Sequence, residues 1–188
     1  MLPDSFIELL SESLGSDRCA AVAGALEGPA EVSVRVNPAK MPVGSLRSWF
    51  ASAAGESVPW SAEDGFYLTQ RPQFGSDPMF HCGTYYVQEA SSMYVGGLIG
   101  KESGKMILDL CAAPGGKSTH ILSKIGPDQL LVANEVISSR AGILADNIAR
   151  WGSPNVIVTN NDPSAFASLG PVFDLVLVDA PCTGEGMF

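Results

Sequence analysis

The sequence predicts an α/β protein in which a doubly wound parallel sheet follows a small α+β N-terminal domain. From residue 86 onward, four continuous apolar runs alternate with helical patterns, which is typical of parallel strands covered on both faces by helices. Before residue 80, short helical and alternating patterns are interrupted by many prolines and glycines. We therefore predict two domains, residues 1–80 and residues 81–188.

The predicted elements of the N-terminal domain are short. Apolar residues at helical spacing predict helices over about 4–14 and 17–26. The run VSVRVNP alternates valines with polar residues, which predicts a half-buried strand that a proline ends. A helix over about 45–54 and a strand at GFYL complete the domain.

The C-terminal domain is predicted to alternate strands and helices. Its strands are the apolar runs MILDLC, LLVANEV, NVIVTN and FDLVLVD. Helices are expected over about 87–99, from a glycine turn to about 125, over 138–151 and near Phe166. In such sheets ligands bind at the carboxyl ends of the strands, so the residues that end each run are the first candidates for a site.

Composition favours a folded protein in the cytoplasm. Of the 188 residues, 46% are hydrophobic, which is enough for a core. No run reaches the ~18 apolar residues of a membrane span, and the start MLPDSFIELL lacks the basic segment of a secretory signal. The 4 cysteines are widely spaced, which indicates reduced thiols and neither a metal site nor a disulfide. The formal net charge of −9 argues against a large nucleic-acid-binding surface.

The first apolar run of the predicted sheet ends in a glycine turn, CAAPGGKST. Gly115 and Gly116 permit close approach of the backbone to a ligand, where the next helix presents free N–H groups. The P-loop pattern does not fit, because Cys111 stands where its first glycine belongs. The dinucleotide fingerprint does not fit either, because Ala113 and Pro114 interrupt it. An ordinary turn between a strand and a helix explains the two glycines equally well.

Acidic residues end the other three runs. Glu135 follows the second strand about 20 residues after the glycine turn, where nucleotide sites place an acid for the ribose hydroxyls. Asp162 follows the third run and suits an adenine amino group, and Asp179 ends the fourth run. A structural explanation also exists, since Glu135 could begin a helix and Asp162 a turn. Together the three acids suggest an adenosine-bearing ligand.

Several motifs, in this order and spacing, resemble those of the RNA cytosine-C5 methyltransferases of the Sun/NOL1/NOP2 family, especially the bacterial 16S ribosomal RNA members. They are RVNP, VPWSAEDGFYL, YYVQEASSM, DLCAAPGGKST, ANEV, NND and DAPCTGEG. The resemblance implies a Rossmann-like, S-adenosylmethionine-dependent methyltransferase sheet of strand order 3-2-1-4, truncated after the fourth strand. It also implies S-adenosyl-L-methionine as cofactor and a cytosine in structured RNA, first of all 16S rRNA, as substrate.

The resemblance further implies roles for individual residues. Glu135 would bind the ribose hydroxyls, Asp162 the adenine, and Asp179 would lie between the cofactor and the target base. The methionine end and the ribose would be lined by Cys111, Ala112, Ala113, Pro114, Gly115, Gly116 and Lys117.

The chemistry of this family requires a thiol. C5 of cytosine is a poor nucleophile, so a thiolate adds at C6 and the activated ring then attacks the sulfonium methyl group. In the family the attacking thiol belongs to a later Thr-Cys motif, while the thiol of the Pro-Cys motif, here Cys182, assists breakdown of the covalent intermediate. We therefore assign Cys182 this second role, with attack as the alternative. Asp179 would stabilise charge on the ring.

The sequence stops before the fifth strand and the Thr-Cys motif that the resemblance implies. We expect the 188 residues to be a fragment that is inactive by itself, and the full-length protein to be monomeric, without metal or membrane contact. The alternatives are a tRNA cytosine-C5 methyltransferase and a non-catalytic module that binds cofactor or RNA. Among the remaining residues, we expect Cys19 in a core, His120 on a helix surface, and Tyr85 and Tyr86 at the domain junction, with stacking on a base as the alternative for the two tyrosines.

Overall fold

The computed structural model describes residues 2–100 and 103–180. Within these ranges, residues 2–31 form one compact unit and residues 32–180 form another. The predicted domains 1–80 and 81–188 stay a prediction.

The first unit consists of two helices, α1 (Asp4–Leu14) and α2 (Ser16–Leu26), which pack against each other. Gly15 joins them with a φ of 79°, in the left-handed region that favours glycine. Cys19 on α2 is buried, and its thiol donates to the Ile7 carbonyl at 3.6 Å. Both predicted helices and the buried position of Cys19 are confirmed.

The second unit begins with a four-stranded antiparallel sheet of order β2-β3-β1-β4. Its elements are β1 (Val32–Val36), α3 (Val43–Phe50), β2 (Ala54–Ser57), β3 (Gly65–Leu68), α4 (Pro78–His81) and β4 (Tyr85–Val87). The strands at VSVRV and GFYL are confirmed. The helix predicted over 45–54 ends earlier, at Phe50. Residue 54, the last of the predicted range, is instead the first residue of β2, which pairs with β3.

Strand β1 is buried on both faces, which the alternating pattern does not show. On one face, Val34 and Val36 pack with Phe66 and Tyr85 in an apolar cluster. The other face carries Ser33 and Arg35, which are 3% and 0% exposed. Burial of these polar side chains is tolerated because they are hydrogen-bonded within the protein.

The segment YYVQEASSM differs from its prediction. A helix was predicted from about residue 87, but β4 lies there and helix α5 (Ala90–Gly97) begins later. Strand β4 pairs with β1, with Val34 opposite Val87 and Val36 opposite Tyr85. Pairing with a strand so distant in sequence leaves no local signal, so periodicity alone favoured the helix.

The second part of this unit is a parallel sheet with helices. Its elements are β5 (Met106–Asp109), α6 (Gly116–Lys124), β6 (Leu130–Asn134), α7 (Ser138–Trp151), β7 (Val156–Thr159) and β8 (Leu175–Leu177), with a 3₁₀ helix at Pro163–Leu169. The described strands have the order β7-β6-β5-β8, so the predicted order 3-2-1-4 is confirmed. The core contains Ile107, Leu131 and Leu144, all 0% exposed.

A fully buried guanidinium group connects the antiparallel sheet to helix α6. Arg35 donates from Nη2 to Thr119 Oγ1 at 2.7 Å and to the Gly116 carbonyl at 3.3 Å. Its Nε donates to Gln88 Oε1 at 2.8 Å, and its Cζ lies 4.6 Å from the Trp151 ring centroid. Burial lowers the pKa of Arg35 to about 9, so the group stays charged at neutral pH.

His120 was predicted on a helix surface, and this is wrong. The side chain is 0% exposed, and its Nε2 lies 3.6 Å from Asp64 Oδ2. Burial lowers the pKa of His120 to about 4, with the charges of Arg35 and Lys124 acting in the same direction, so the ring is neutral at pH 7. A Cβ on Gly96 would overlap the His120 ring, so helix α5 approaches α6 closely here.

We predict that Arg35→Lys lowers the free energy of unfolding by about 2–3 kcal/mol. A lysine keeps the charge but cannot reproduce the fork of donors, so buried acceptors lose their partners. Urea denaturation followed by circular dichroism measures the change. Arg18→Lys, on an exposed turn of α2, is the matched control and should change stability by less than about 0.5 kcal/mol. Equal stability of Arg35→Lys and the wild type would contradict the predicted role of the fork.

Candidate functional site

A cleft of about 210 Å³ lies at the carboxyl ends of β5 and β8. One wall is the segment from Tyr86 to Glu89, which contains the end of β4 and the two residues that connect it to α5. The opposite wall is formed by the glycine turn and the end of β8. It contains Cys111, Ala112, Ala113, Pro114, Gly116, Lys117 and Asp179.

The glycine turn depends on one unusual backbone conformation. Gly115 has a φ of 111°, immediately before the first residue of α6. A Cβ there would also lie 3.2 Å from Leu144 Cδ1. At the start of the helix, Ser118 Oγ donates to Asp109 Oδ2 at 2.6 Å and so joins α6 to the end of β5. The early N–H groups of α6 are thus held at the end of the strand.

The carbonyl groups of the turn are held by side chains from outside it. Arg140 Nη2 donates to the Ala113 carbonyl at 2.8 Å. Asn147 Nδ2 donates to the Pro114 carbonyl at 2.6 Å, and Tyr86 Oη donates to the same oxygen at 3.3 Å. The turn therefore has a fixed shape that is supported by α7 and β4.

Lys117 and Asp179 form an ion pair beside the cleft. Lys117 Nζ lies 2.6 Å from Asp179 Oδ2, and the Asp179 side chain is 57% exposed. The pair joins the first turn of α6 to the segment that follows β8. It places an exchangeable proton and an exposed carboxylate at the same point of the cleft.

Glu135 lies at the end of β6 but does not line this cleft. Its side chain is 3% exposed, and its Oε1 accepts from the Ile137 N–H at 3.0 Å. Its Oε2 lies 3.6 Å from Arg140 Nη1. Since Arg140 also holds the Ala113 carbonyl, it connects Glu135 with the glycine turn.

Asp162 is exposed and lies outside the cleft. Its Oδ1 accepts from the N–H and the hydroxyl of Ser164, at 2.9 and 2.6 Å, at the start of the 3₁₀ helix. These hydrogen bonds lower the pKa of Asp162. The capping role left open in the sequence is therefore present, and a role in adenine binding stays a prediction.

Asn134 organises the carboxyl ends of three strands, and sequence reasoning did not single it out. Its Nδ2 donates to the carbonyls of Leu110 and Asn161, at 3.2 and 3.0 Å. Its Oδ1 accepts from Thr159 Oγ1 at 2.8 Å and from the Asn161 N–H at 3.0 Å. A polar residue between an apolar run and Glu135 was the available signal.

Of the two cysteines in the predicted site, Cys111 lies within the residues that the structure describes and Cys182 does not. Cys111 lines the cleft, and burial together with the nearby Glu135 and Asp109 carboxylates raises its pKa. Its side chain is thus a neutral thiol near pH 7, which is unfavourable for nucleophilic attack. Cys182 lies outside the residues that the structure describes.

Asp109 is a second residue that sequence reasoning missed. Its side chain is 0% exposed, and burial raises its pKa from an ordinary value of 3.8 to about 6, although the Ser118 hydroxyl and Lys117 act in the opposite direction. Ser118 reaches Asp109 at the end of β5 because it lies in the first turn of α6. The letters DLCAAPGGKS show both residues but not their contact.

The described parallel sheet and the glycine turn that follows β5 form a Rossmann-like fold, and a matching family model identifies the class of protein as a methyltransferase. Residues 98–188 match the model of a family described as 16S rRNA methyltransferase RsmB/F. Residues 2–90 match the model of the N-terminal domain of 16S rRNA methyltransferase RsmF. The chain belongs to this RsmB/F family, which confirms the resemblance seen in the motifs.

Relatives and solved structures agree with this assignment. The chain is 37% identical over 196 residues to ribosomal RNA small subunit methyltransferase F of Aliivibrio fischeri, covering 98% of this chain and 41% of the relative. It is 35% identical over 195 residues to the protein of that name from an Enterobacter species, with 98% and 40% covered. A crystal structure of a methyltransferase homolog from Pyrococcus horikoshii superposes with a TM-score of 0.77 at 32% identity, covering 97% of this chain and 65% of that one. The chain spans about two fifths of the length of these curated relatives.

We predict that Asp109→Asn stabilises the fold above about pH 6. Because the folded-state pKa is raised from 3.8 to about 6, ionisation of Asp109 destabilises the folded state progressively as the pH rises through this window. The neutral amide can still accept from Ser118 and lacks this cost. The stability advantage of the variant should grow from about pH 4 to about pH 6, reach about 3 kcal/mol and then stay constant.

Urea titrations across this pH range measure the difference between variant and wild type. Asp128→Asn, on an exposed turn before β6, is the matched control and should show no such trend. A pH-independent difference for Asp109→Asn would show that burial does not raise the pKa of Asp109.

Proposed function

We propose that the chain carries the cofactor-binding part and part of the active site of an S-adenosylmethionine-dependent RNA cytosine-C5 methyltransferase, with 16S rRNA as substrate. The observation that carries the proposal is the cleft in which the glycine turn meets the pair of Lys117 and Asp179. Membership of the RsmB/F family supports the same function. The names of the curated relatives support 16S rRNA over tRNA as substrate.

The residues at the strand ends fit an adenosine cofactor with a cationic sulfonium group. The turn from Cys111 to Lys117 offers backbone N–H groups and a small, closely approached surface to the methionine end and the ribose. Glu135 Oε2, which lies 3.6 Å from Arg140 Nη1, is the atom we propose for the ribose hydroxyls. Asp162 Oδ2 is the atom we propose for the adenine amino group, since Oδ1 is engaged by Ser164.

Asp179 and Lys117 are suited to the charge that develops on a cytosine ring. When bound, the cofactor supplies an electrophilic methyl group, and thiolate addition at C6 of the base makes C5 nucleophilic. As the thiolate adds, N3 takes up a proton from water, the exposed Asp179 carboxylate accepts a hydrogen bond from the resulting N3–H, and Lys117, whose Nζ lies 2.6 Å from Asp179 Oδ2, holds that carboxylate in place. We assign Cys182 to the breakdown of the covalent intermediate, as the family motifs imply.

Other expectations about the protein stay predictions. Among the helices of residues 2–100 and 103–180, none is long and apolar enough to cross a membrane. In the same ranges, no three His, Cys, Asp or Glu side chains cluster as a metal site would require. We also propose a cytoplasmic location, independence of metals and a monomeric full-length protein.

We predict that the 188-residue chain binds S-adenosylmethionine and that Glu135→Ala weakens this binding about 10- to 100-fold, as expected for loss of a hydrogen bond to a charged group. Isothermal titration calorimetry measures both affinities. Glu63→Ala, on an exposed loop before β3, is the matched control and should bind like the wild type.

Two results would count against these roles. Absence of binding heat from the wild type would overturn the proposal that the chain binds S-adenosylmethionine and would favour a non-catalytic module. Equal affinity of wild type and Glu135→Ala would leave the cofactor intact but remove Glu135 from the ribose site.

A further inference from the structure

A second groove lies beside the cleft, with a volume of about 350 Å³. Tyr86 and Val87 line both cavities, so the two are adjacent. The other residues that line the second groove come from the loop before α4, from α4 itself and from the last turns of α7. They are Arg71, Phe74, Gly75, Phe80, Asn147 and Arg150.

The groove is cationic in a chain whose formal net charge is −9. Its lining contains Arg71 and Arg150, and no carboxylate among the described residues. Asp77, which touches the same aromatic cluster, is already engaged by Tyr85 Oη at 2.6 Å and by Trp49 Nε1 at 3.3 Å. The groove therefore attracts an anion that the surface as a whole would repel.

Aromatic rings lie directly below both cations. The Arg71 guanidinium is 5.6 Å from the Phe74 ring centroid, and that of Arg150 is 4.2 Å from the centroid of Phe80. Phe74 and Phe80 are only partly buried, so ring surface is available to a flat ligand. Guanidinium groups next to partly exposed aromatic rings are a combination that binds the phosphate and the base of single-stranded nucleic acid.

One side of the groove is held rigidly to the glycine turn. Arg150 donates to Asn147 Oδ1, and Asn147 donates both to the Pro114 carbonyl at 2.6 Å and to Tyr86 Oη at 3.4 Å. The wall between groove and cleft is thus fixed by the residues that shape the turn. Because Tyr86 and Val87 line both cavities, the groove and the cleft share this wall.

We propose that this groove binds the nucleotide next to the target cytosine in a single-stranded segment of RNA. Its phosphate would pair with Arg71 and Arg150, and its base would stack on Phe74 or Tyr86. The proposal rests on the proposed function, because it requires RNA in the adjacent cleft. It gives an acidic chain a local way to hold an RNA strand where methyl transfer would occur.

Two variants of the 188-residue chain separate the phosphate contact from the stacking contact. The probe is a fluorescein-labelled single-stranded RNA of twelve nucleotides with one central cytosine, followed by fluorescence anisotropy over a series of salt concentrations. Arg71→Gln should weaken binding about 3- to 10-fold and reduce the slope of log affinity against log salt by about 0.7, the value for one phosphate contact on a single strand. Phe74→Leu should weaken binding at least about 5-fold without changing that slope.

Lys105→Gln is the matched charge control. Lys105 is exposed and precedes β5 at its amino end, the end of the strand opposite to the cleft, so its loss should leave RNA binding unchanged. Calorimetry with S-adenosylmethionine should give wild-type affinity for Arg71→Gln and Phe74→Leu, which shows that the variants fold and keep the cofactor site.

The outcomes distinguish this proposal from the function on which it rests. Salt-dependent RNA binding that Arg71→Gln and Phe74→Leu leave unchanged would overturn the groove proposal alone. Equal losses from Arg71→Gln and Lys105→Gln would also overturn it, since charge at any place would then suffice. Wild type that binds neither cofactor nor RNA would overturn the proposed function together with the groove.

Discussion

The buried guanidinium group of Arg35 is the interaction on which the rest of the site depends. A charge without exposure to water must find hydrogen-bond acceptors inside the protein, and Arg35 finds them on Gln88, Thr119 and Gly116. Two of these acceptors belong to the first turn of α6. The antiparallel sheet therefore fixes the position of the helix that carries Lys117, and through Tyr86 of β4 it also contacts the glycine turn.

The glycine turn is likewise held in place by residues that lie outside it. Its carbonyl groups are occupied by Arg140, Asn147 and Tyr86, while the early N–H groups of α6 have no partner within the helix. A turn held in this way keeps its shape when empty, so little ordering accompanies ligand binding. The buried Asp109 adds negative charge below the turn, and the pair of Lys117 and Asp179 adds a proton donor and a carboxylate beside it.

For the RNA substrate that we propose, an acidic chain needs a local cluster of cations. The second groove does so with Arg71 and Arg150, which lie over the rings of Phe74 and Phe80. Asn147 serves both features, because it holds the Pro114 carbonyl on one side and accepts from Arg150 on the other. The shape of the glycine turn and the position of the groove thus depend on the same set of hydrogen bonds.

The sequence by itself determined the parallel strands and the glycine turn, because apolar runs, helical periodicity and turn residues are local signals, while the strand order followed from the family resemblance. Motif spacing identified the family, and it placed Lys117 in the glycine turn and Asp179 at the end of the fourth strand, which the sheet brings together. Tertiary structure alone decided the strand at Tyr85–Val87, the burial of His120 and the raised pKa of Asp109. Each of these depends on partners distant in the sequence, such as β1 for Tyr85–Val87 and Asp64 for His120. Local patterns carry no information about such partners, because burial and pairing are properties of the assembled fold.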